Sequence, residues 1–423
     1  MPRALNSVQL GDVLCPGARV YWPGGAGHSA LFEQWLGEHA QWAAGVEFCG
    51  AWIPGVNQFD PTTLHPQARA SSFFLPPHLH AGWLRGAVDL LPLHYSEISQ
   101  YLSAPGRFDV LMLQVSPPDD AGLCSLSLAA DFTPAAMQGL AADAVVLAHV
   151  NPLLPRTRGP SVPAARIDAW VEAPIAPLTL EDGPLDPAWA GVAQQVAALV
   201  RDGDTLQFGV GKLQSAVLAA LHGHRGLRLH SGMVSGGLLG LMASGALAAP
   251  STHRPPVCTG LALGSPLLYA AMADPAWVQF APVSFTHAHA TLAALPRLVA
   301  INSALEIDLL GQVNVEVLGG RRVSGVGGLV DFMRGARASE GGRGIVAATA
   351  CAGREQKSRI VPLLPPQSVS MGRADADTVV TEHGHAGLRS LGVEARAQAL
   401  IAIAAPQHRA ALLSAWHTLR RNF

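Results

Sequence analysis

The chain has 423 residues, of which 49% are hydrophobic and 14% are charged, so it can bury the cores of two or three globular domains. Its 28 basic and 30 acidic residues give a formal net charge of -2. This balance argues against a surface specialised for nucleic acid or for anionic membranes. We therefore expect a globular protein with no nucleic-acid partner and no membrane partner.

Cysteine usage and the first residues predict where the protein works. The five cysteines are odd in number, widely separated and never spaced as Cys-x-x-Cys, which is typical of reduced thiols. Residues 3–9 lack the apolar core of a signal peptide, and no run of apolar residues is long enough to predict a membrane helix. We expect a soluble cytoplasmic protein without disulfide bonds.

The first half opens with an α/β pattern. Residues 18–21 predict a strand, a glycine turn follows, and residues 29–39 predict a helix. Further along, residues 109–128 predict strand, turn and strand, Thr133 at an N-cap before Pro134 predicts a helix start, and residues 145–150 predict a buried strand. Short apolar strands that alternate with helices predict a mainly parallel sheet covered on both faces.

The same order of elements returns in the second half. The pattern of residues 18–32 recurs at 204–218, and that of 109–128 recurs at 298–315, each displaced by about 186 residues. This separation predicts two copies of one domain-sized unit, with chance resemblance between two α/β domains as the alternative. Four prolines and a glycine in residues 172–189 predict an irregular linker. We expect domains at residues 1–180 and 188–423.

Residues 298–335 carry a candidate binding motif. An apolar strand leads to Asn302, a turn follows at Gly311, a second strand is predicted at 313–318, and the loop SGVGG occupies 324–328. Closely spaced glycines let backbone N–H groups approach a ligand that side chains would keep away. The loop therefore predicts a ligand site, with a simple tight turn as the alternative. Strands at 344–350, 357–364 and 377–384 and helices at 394–403 and 406–417 are predicted to follow.

Eight short motifs, in order along nearly the whole chain, resemble those of the acetyl-CoA hydrolase/CoA-transferase family. They are WPGGAG (22–27), QVSPPD (114–119), NPLLP (151–155), QFGVG (207–211), INSALEID (301–308), GVGGLVDF (325–332), SRIVP (358–362) and VTEHG (380–384). The resemblance implies an α/β protein of two tandem CoA-transferase-fold domains, each an open, mainly parallel sheet covered by helices. It also implies an acyl-CoA substrate, a small carboxylic acid or other acyl acceptor, no permanently bound cofactor, and a homodimer.

The resemblance also implies a nucleophile. Members of the family use a glutamate that attacks the thioester and becomes a glutamyl-CoA thioester, in a segment resembling HSEMxSDG. The matching stretch here is HSGMVSGG at residues 230–237, with Gly232 where the glutamate is expected and Gly236 where the aspartate is expected. We therefore predict a vacant nucleophile position at Gly232. We also expect Gly232→Glu to introduce CoA-transferase activity if the cleft is otherwise intact.

The other parts of the site are present by resemblance. Backbone N–H groups of Val210 and Gly327 would polarise the thioester carbonyl as oxyanion donors, and Asn302 would hydrogen-bond the thioester or pantetheine region. Ser358 and Arg359 would contact the CoA phosphates. Four more glycines of the two loops are assigned to substrate binding, namely Gly209, Gly211, Gly325 and Gly328.

Other side chains admit chemical roles. Glu47 is a candidate substitute nucleophile or base, with a surface role as the alternative. Histidines two apart, such as His287 and His289, could share a metal, but no cysteine or carboxylate accompanies them at ligand spacing, so no metal is predicted. Ser231 and His230 are not predicted to form a dyad, because adjacent side chains on a strand point to opposite faces.

These observations predict an enzyme of CoA-transferase or acyl-CoA hydrolase type that works without a glutamyl-CoA intermediate. The acceptor or water would attack the thioester directly, aided by a base that the sequence does not identify. The alternative is a non-catalytic acyl-CoA-binding or scaffold homologue, which kept the fold and lost the chemistry.

Overall fold

A computed structural model describes residues 2–181, 183–209 and 211–421. In chain order, the elements of the first half are β1 (Arg3–Ala4), α1 (Ser7–Val13), β2 (Arg19–Tyr21), α2 (Ala30–Glu38), β3 (Glu47–Gly50), β4 (Arg69–Ser72), α3 (His80–Leu84), β5 (Val88–Leu90), α4 (Tyr95–Leu102), β6 (Phe108–Val115), β7 (Leu123–Ser125), α5 (Thr133–Gln138), β8 (Leu140–Val150), β9 (Ser161–Pro163) and β10 (Ala169–Glu172).

The second half continues after a linker in which the described residues form no helix or strand between β10 and a 3₁₀ turn at Pro187–Trp189. Its elements are α6 (Ala190–Ala197), β11 (Thr205–Phe208), α7 (Lys212–Ala220), β12 (Arg228–Val234), α8 (Gly237–Ala243), β13 (Val257–Ala262), α9 (Pro266–Ala271), β14 (Val278–Phe280), α10 (Val283–Thr286), α11 (His289–Ala294), β15 (Leu298–Ser303), β16 (Glu306–Asp308), β17 (Val313–Asn314), β18 (Val317–Leu318), β19 (Arg321–Arg322), α12 (Leu329–Ala338), β20 (Arg343–Ala347), β21 (Cys351–Ala352), β22 (Lys357–Ser358), β23 (Ile360–Val361), β24 (Thr378–Thr381), β25 (Gly384–Gly387), α13 (Val393–Ile403) and α14 (Pro406–Arg420).

Each half is built on one eight-stranded sheet, and the two sheets have the same strand order except at one edge, where the first sheet ends in β1 and the second in β25. The first runs β5-β4-β3-β2-β6-β8-β10-β1 and the second runs β14-β13-β12-β11-β15-β20-β24-β25. Neighbouring strands are parallel throughout, except for the antiparallel pair β24 and β25. The shared order of seven strands is what the predicted tandem duplication requires. The predicted fold class, mainly parallel sheets with helical cover, is confirmed.

Local sequence explains where the elements begin. Helix α2 starts after Ser29, whose Oγ accepts a hydrogen bond from the Phe32 N–H at 3.2 Å, as the predicted helix at 29–39 requires. Strand β6 is buried almost throughout, as expected for a strand at the centre of a parallel sheet, and apart from Asp109 and Gln114 its residues are apolar. The predicted hydroxyl cap at Thr133 is wrong, since Phe132 is the N-cap of α5 and Thr133 is already its first helical residue.

The predicted hairpin of residues 298–318 is also different. Strand β15 joins the main sheet between β11 and β20, and the hairpin forms instead between β16 and β17. The carboxylate of Asp308 holds its turn by accepting hydrogen bonds from the backbone N–H groups of Leu310 and Gln312, at 3.1 and 2.9 Å. The predicted strands at 313–318 and 357–364 are each divided into two short strands, β17 and β18 in the first case and β22 and β23 in the second.

The two halves pack against each other through apolar side chains and backbone hydrogen bonds. One cluster of buried residues includes members of both halves, among them Leu128 and Leu261. The Ala130 N–H donates to Gly260 O at 2.9 Å, and the Ala262 N–H donates to Leu128 O at 2.8 Å. None of the helices among the described residues is long and apolar enough to cross a membrane.

Candidate active site

A cavity of about 230 Å³ lies between the two halves. From the second half it is lined by residues at the carboxyl ends of β11, β12 and β15, together with the glycine loop before α12. The first half contributes Ile53 and Pro54, which follow β3, and the aromatic side chains of Phe74 and Tyr95. Parallel strands bring their carboxyl ends to one edge of the sheet, where open α/β folds bind ligands. The cavity is therefore the candidate site.

Gly232 lies in the wall of this cavity, and the ring of His287 fills the space beside it. A Cβ on residue 232 would lie 2.7 Å from His287 Cε1 and 3.0 Å from Nε2. A Cβ on Gly328, from the glycine loop, would lie 2.6 Å from the same Nε2. Two glycines thus make the slot that the imidazole occupies. Sequence reasoning missed His287 as a site residue, because nothing local links it to position 232.

The environment of His287 keeps its ring neutral. The residue is only 3% exposed, and burial lowers the pKa of its imidazole to about 3, with nearby His230 acting in the same direction. The ring of Tyr95 stacks on the imidazole with 4.8 Å between ring centroids, and the centroid of the Phe332 ring lies 4.6 Å from that of the imidazole. Thr286 Oγ1 lies 2.9 Å from Nδ1. The imidazole is therefore uncharged and fixed in orientation at neutral pH.

His230 is positioned differently. It is buried in β12, and its Nε2–H donates to the carbonyl of Thr286 at 3.0 Å. Burial lowers the pKa of its imidazole to about 4. The neighbouring Ser231 Oγ donates to Phe208 O at 3.1 Å, so the two side chains do not hydrogen-bond to each other and form no dyad.

Asn302 lines the cavity and forms a pair with Gln207 from β11. Asn302 Nδ2 donates to Gln207 Oε1 at 3.0 Å, and Gln207 Nε2 lies 3.4 Å from Asn302 Oδ1. Both side chains are buried at the cavity edge. Gly209 follows on the same wall, where a Cβ would lie 3.3 Å from Asn302 Oδ1. These amides offer the cavity a fixed set of polar groups, of which only Asn302 was predicted as a site residue.

The glycine loop needs glycine at two positions for steric reasons. A Cβ on Gly325 would lie 2.5 Å from the carbonyl oxygen of Phe73 in the first half, and Gly327 has a φ of +59°. The Gly327 carbonyl accepts a hydrogen bond from the Tyr95 N–H at 3.2 Å. The N–H of Gly327 itself makes no hydrogen bond to any described residue. The loop therefore presents a free backbone donor at the start of α12.

A second contact holds this loop to the first half. Ser96 Oγ donates to Asp331 Oδ1 at 2.6 Å, and the Ser96 N–H donates to Asp331 Oδ2 at 3.1 Å. Asp331 lies in the first turn of α12, directly after the glycine loop. Burial raises the pKa of its carboxyl above the usual range. This inter-domain contact fixes the distance between Tyr95 and the loop.

Several predicted site residues lie outside the cavity wall. Val210 falls outside the described residues. Gly211 precedes α7 with a φ of +108° and does not line the cavity. Ser358 Oγ donates to Ile360 O at 2.7 Å, and Arg359 donates to Leu305 O at 2.8 Å, both away from the cavity lining. Glu47 starts β3, whereas the cavity lies beyond its carboxyl end, and its Oε1 accepts a hydrogen bond from Ser71 Oγ.

The described part of the cavity wall contains no Asp, Glu, Lys or Arg. Among the acidic residues of the nearby motifs, Glu306 accepts from Asn314 at 3.0 Å and Glu382 accepts from the Ala350 N–H at 2.8 Å. Asp131 lies behind the wall, since a Cβ on Gly260 would contact both Asp131 Cβ and Gly232 O. Burial raises the pKa of Asp131 to about 6. No group of three or more metal-ligating side chains occurs in the described parts of the chain.

Comparison with known proteins identifies relatives of this chain. The acetyl-CoA hydrolase/transferase C-terminal domain matches residues 264–416. The chain is 35% identical over 334 residues to a 4-hydroxybutyrate coenzyme A transferase of Clostridium kluyveri, covering 78% of this chain and 77% of that protein. It is 32% identical over 420 residues to a succinyl-CoA:cyclohexane-1-carboxylate CoA transferase of Geobacter metallireducens, covering 98% and 93%.

A solved structure agrees with these relatives. The 4-hydroxybutyrate CoA-transferase of Porphyromonas gingivalis superimposes with a TM-score of 0.79 at 30% identity, over 100% of this chain and 98% of that one. Sequence identity of this level over most of both chains, together with the shared fold, establishes kinship. The chain belongs to the acetyl-CoA hydrolase/CoA-transferase family of enzymes.

Proposed function

We propose that this chain acts on acyl-CoA thioesters in the cavity between its halves and transfers the acyl group or CoA without a glutamyl-CoA intermediate. One observation carries the proposal: the described cavity wall offers polarising backbone and amide groups but no carboxylate, and residue 232 has no side chain. A covalent anhydride between the acyl group and the enzyme needs a carboxylate on the cavity wall. Water or an acceptor therefore attacks the thioester carbon directly.

The glycine loop supplies the polarising group. The N–H of Gly327, which has no hydrogen-bond partner among the described residues, lies in the glycine loop. Hydrogen bonds from Tyr95 N–H and between Ser96 and Asp331 hold this loop to the first half. A donor of this kind stabilises the oxyanion of a tetrahedral intermediate by roughly 3 to 4 kcal/mol. Asn302, fixed by Gln207, lies on the same cavity and orients the thioester or pantetheine. Val210 remains a proposed second donor.

The cavity wall favours an uncharged acyl group. The side chains of Ile53, Phe74, Val315, Val326 and Phe332 make its lining largely apolar, and no cation lies among the described lining residues. If the acyl chain of the thioester ended in a carboxylate, this charge would be buried in the cavity without a cationic partner, at a cost of several kcal/mol. We therefore infer that acyl-CoAs with an apolar acyl chain are preferred over those whose acyl chain ends in a carboxylate.

The CoA nucleotide and the acceptor are assigned more broadly. Ser358 and Arg359 lie outside the cavity lining and remain proposed CoA contacts on the family resemblance. The acceptor is water or a small carboxylic acid. The carboxylate of such an acid displaces CoA and forms a mixed anhydride with the acyl group; the released CoA thiolate then attacks the carbonyl of the acceptor acid, which gives the new acyl-CoA and frees the first acid. A homodimer is also proposed, on the family resemblance, and analytical ultracentrifugation tests it.

A turnover assay tests the proposal. Purified protein is incubated with apolar acyl-CoAs, with and without carboxylic acids, while release of the CoA thiol and formation of a new acyl-CoA are followed. We expect turnover, and no glutamyl-CoA adduct after borohydride reduction. A trapped adduct would refute the direct route. CoA binding without turnover of any acyl-CoA would instead support the non-catalytic acyl-CoA-binding homologue.

A further inference from the structure

The ring of His287 lies where the family resemblance expects a nucleophilic carboxylate, and this position carries a further inference. We propose that His287 is the catalytic base of this site, with Nε2 taking the proton from the attacking water. The inference rests on the proposed function, direct attack on an acyl-CoA. It identifies the base that the sequence left unidentified.

Placement supports this role first. His287 follows α10, 55 positions after Gly232 in the numbering, yet a Cβ on Gly232 would lie 3.0 Å from His287 Nε2. The same nitrogen faces Gly328 at the end of the glycine loop that carries the free Gly327 donor. Nε2 is therefore on the cavity wall between the vacant nucleophile position and the oxyanion donor. In the proposed reaction, a thioester carbonyl bound at the Gly327 N–H is attacked by a water that Nε2 holds.

The proposal places the ring proton on the other nitrogen. The hydroxyl of Thr286 lies 3.4 Å from the carbonyl oxygen of Pro282 and 2.9 Å from His287 Nδ1. A hydroxyl that donates its one hydrogen to that carbonyl leaves Nδ1 to carry the ring proton and to donate to Thr286 Oγ1. Nε2 then has a free lone pair. This is the tautomer that a base needs.

The lone pair has no other partner. Among the described residues, no hydrogen bond reaches His287 Nε2, whereas Nε2 of the neighbouring buried His230 is bonded to Thr286 O. A histidine that served only to fill the core would bury an unsatisfied nitrogen at a cost of about 1 to 3 kcal/mol. A nitrogen that faces the cavity instead meets water or substrate. The difference between these two histidines supports a role for His287 in the cavity.

The step balances without any further reagent. Nε2 accepts a proton from water as the water oxygen bonds to the thioester carbon, and the carbonyl oxygen becomes an oxyanion at Gly327 N–H. Collapse of this intermediate breaks the C–S bond, and the imidazolium returns its proton to the leaving sulfur. The products are the carboxylic acid and CoA. Imidazolium and oxyanion form together in a cavity whose described wall holds no other charge, so their attraction offsets the desolvation of the ring.

Two substitutions of the ring test the proposal, together with a matched control. His287→Ala and His287→Gln are compared with His289→Ala, an exposed histidine two positions along that does not line the cavity. We expect kcat to fall roughly 100- to 10,000-fold in both His287 variants. The KM, CoA affinity and melting temperature of His287→Gln stay close to wild type. His289→Ala keeps wild-type kcat.

Chemical rescue separates a base from a packing role. His287→Ala leaves a gap the size of imidazole between Gly232 and Gly328, so added imidazole restores turnover in a saturable way. Absence of rescue in a folded, CoA-binding variant would overturn the base role, as would wild-type kcat in His287→Gln. In either case wild-type turnover would leave the proposed function standing. If Asp131→Asn lost activity while the His287 variants kept it, the base would be the carboxyl of Asp131. If the wild type itself showed no turnover, both proposals would be refuted.

Discussion

The imidazole of His287 occupies the space that a side chain at Gly232 would need: a Cβ at residue 232 would lie 2.7 Å from Cε1 of the ring. Real Cβ atoms do not approach other atoms so closely. The ring is also confined by Gly328, Tyr95 and Phe332, which leave it little room to move away. Any side chain introduced at residue 232 must therefore displace His287. This relationship changes the expectation for Gly232→Glu, and several predictions depend on it.

Gly232→Ala is expected to destabilise the protein. Overpacking a filled site costs about 1 to 3 kcal/mol, and urea unfolding measures the loss. The control is Gly387→Ala, which also lies in a strand, β25, but has open space around its Cβ position and stays within about 0.5 kcal/mol of wild type. Equal stability of the two variants would mean that the imidazole yields easily.

Gly232→Glu alone is expected not to introduce CoA-transferase activity, because the glutamate and His287 need the same space. The double variant Gly232→Glu, His287→Ala frees that space. We expect it to form a glutamyl-CoA adduct that borohydride traps, read by mass spectrometry of the peptide containing residue 232. An adduct of similar yield in the single variant would show that the ring does not block the nucleophile position.

The two buried histidines should make the protein less stable as the pH decreases below neutrality. In the unfolded chain, His287 titrates near its ordinary pKa of 6.5, whereas burial lowers its pKa to about 3 in the folded state. Between these values the unfolded state binds more protons, so the free energy of unfolding decreases as the pH falls from 6.5 towards 3. His230 acts in the same direction, with a pKa lowered to about 4.

Denaturation at a series of pH values checks this sign. Asp131, whose pKa burial raises to about 6, acts in the opposite direction, so the informative quantity is the difference between the wild type and His287→Gln from about pH 6.5 to pH 5, in which the Asp131 contribution cancels. In that range, His287→Gln should lose less stability than the wild type, because it has one fewer group that the unfolded state protonates. Parallel pH dependences for the two proteins would contradict a buried neutral imidazole at residue 287.

The Ser96–Asp331 contact should matter for both stability and binding. Ser96→Ala removes the 2.6 Å hydrogen bond to the half-buried Asp331 carboxylate, at an expected cost of about 1 to 3 kcal/mol. Because Asp331 directly follows the glycine loop, the KM for acyl-CoA should rise as well. The control is Ser103→Ala at the end of the same helix, where the hydroxyl bonds only to Gln100 O. Equal effects of the two substitutions would remove the contact from the binding site.

The uncharged cavity wall predicts selectivity against acyl-CoAs whose acyl chain ends in a carboxylate. For pairs of acyl-CoAs with equal chain length, the one that ends in a methyl group should be preferred over the one that ends in a carboxylate. A buried unpaired charge costs several kcal/mol, so kcat/KM should differ by at least about 100-fold. Steady-state kinetics on matched pairs measures the ratio. Comparable values for both members would require a cation in the site.

Local pattern was sufficient for much of the fold. Ser29 marks the start of α2, the apolar run at 145–150 lies in β8, and the repeated pattern at 18 and 204 corresponds to β2 and β11 at matching places in two sheets. Pairing partners were harder to predict. Whether residues 298–303 formed a hairpin or a central strand depended on the neighbours β11 and β20, which lie far away in sequence.

The candidate site divides in the same way. Asn302, Gly209 and the glycines of residues 325–328 were predicted, because glycine spacing and motif order are local properties, and the cavity brings them together. Glu47 was a poor candidate for a reason that only strand direction reveals: it lies at the amino end of β3, and the cavity lies beyond the carboxyl end. Gln207 lay within a quoted motif, and its pairing with Asn302 needed two neighbouring strands.

The sequence by itself determined the family, the two-sheet architecture and the absence of a side chain at Gly232, since these depend on residue identity and order. Only the tertiary structure decided what occupies the space that Gly232 leaves. His287 reaches it because α10 packs beside β12, and burial there keeps the ring neutral, with no hydrogen bond to Nε2 from any described residue. Contact across 55 residues and loss of solvent are properties of the packed chain, so no local pattern predicts them.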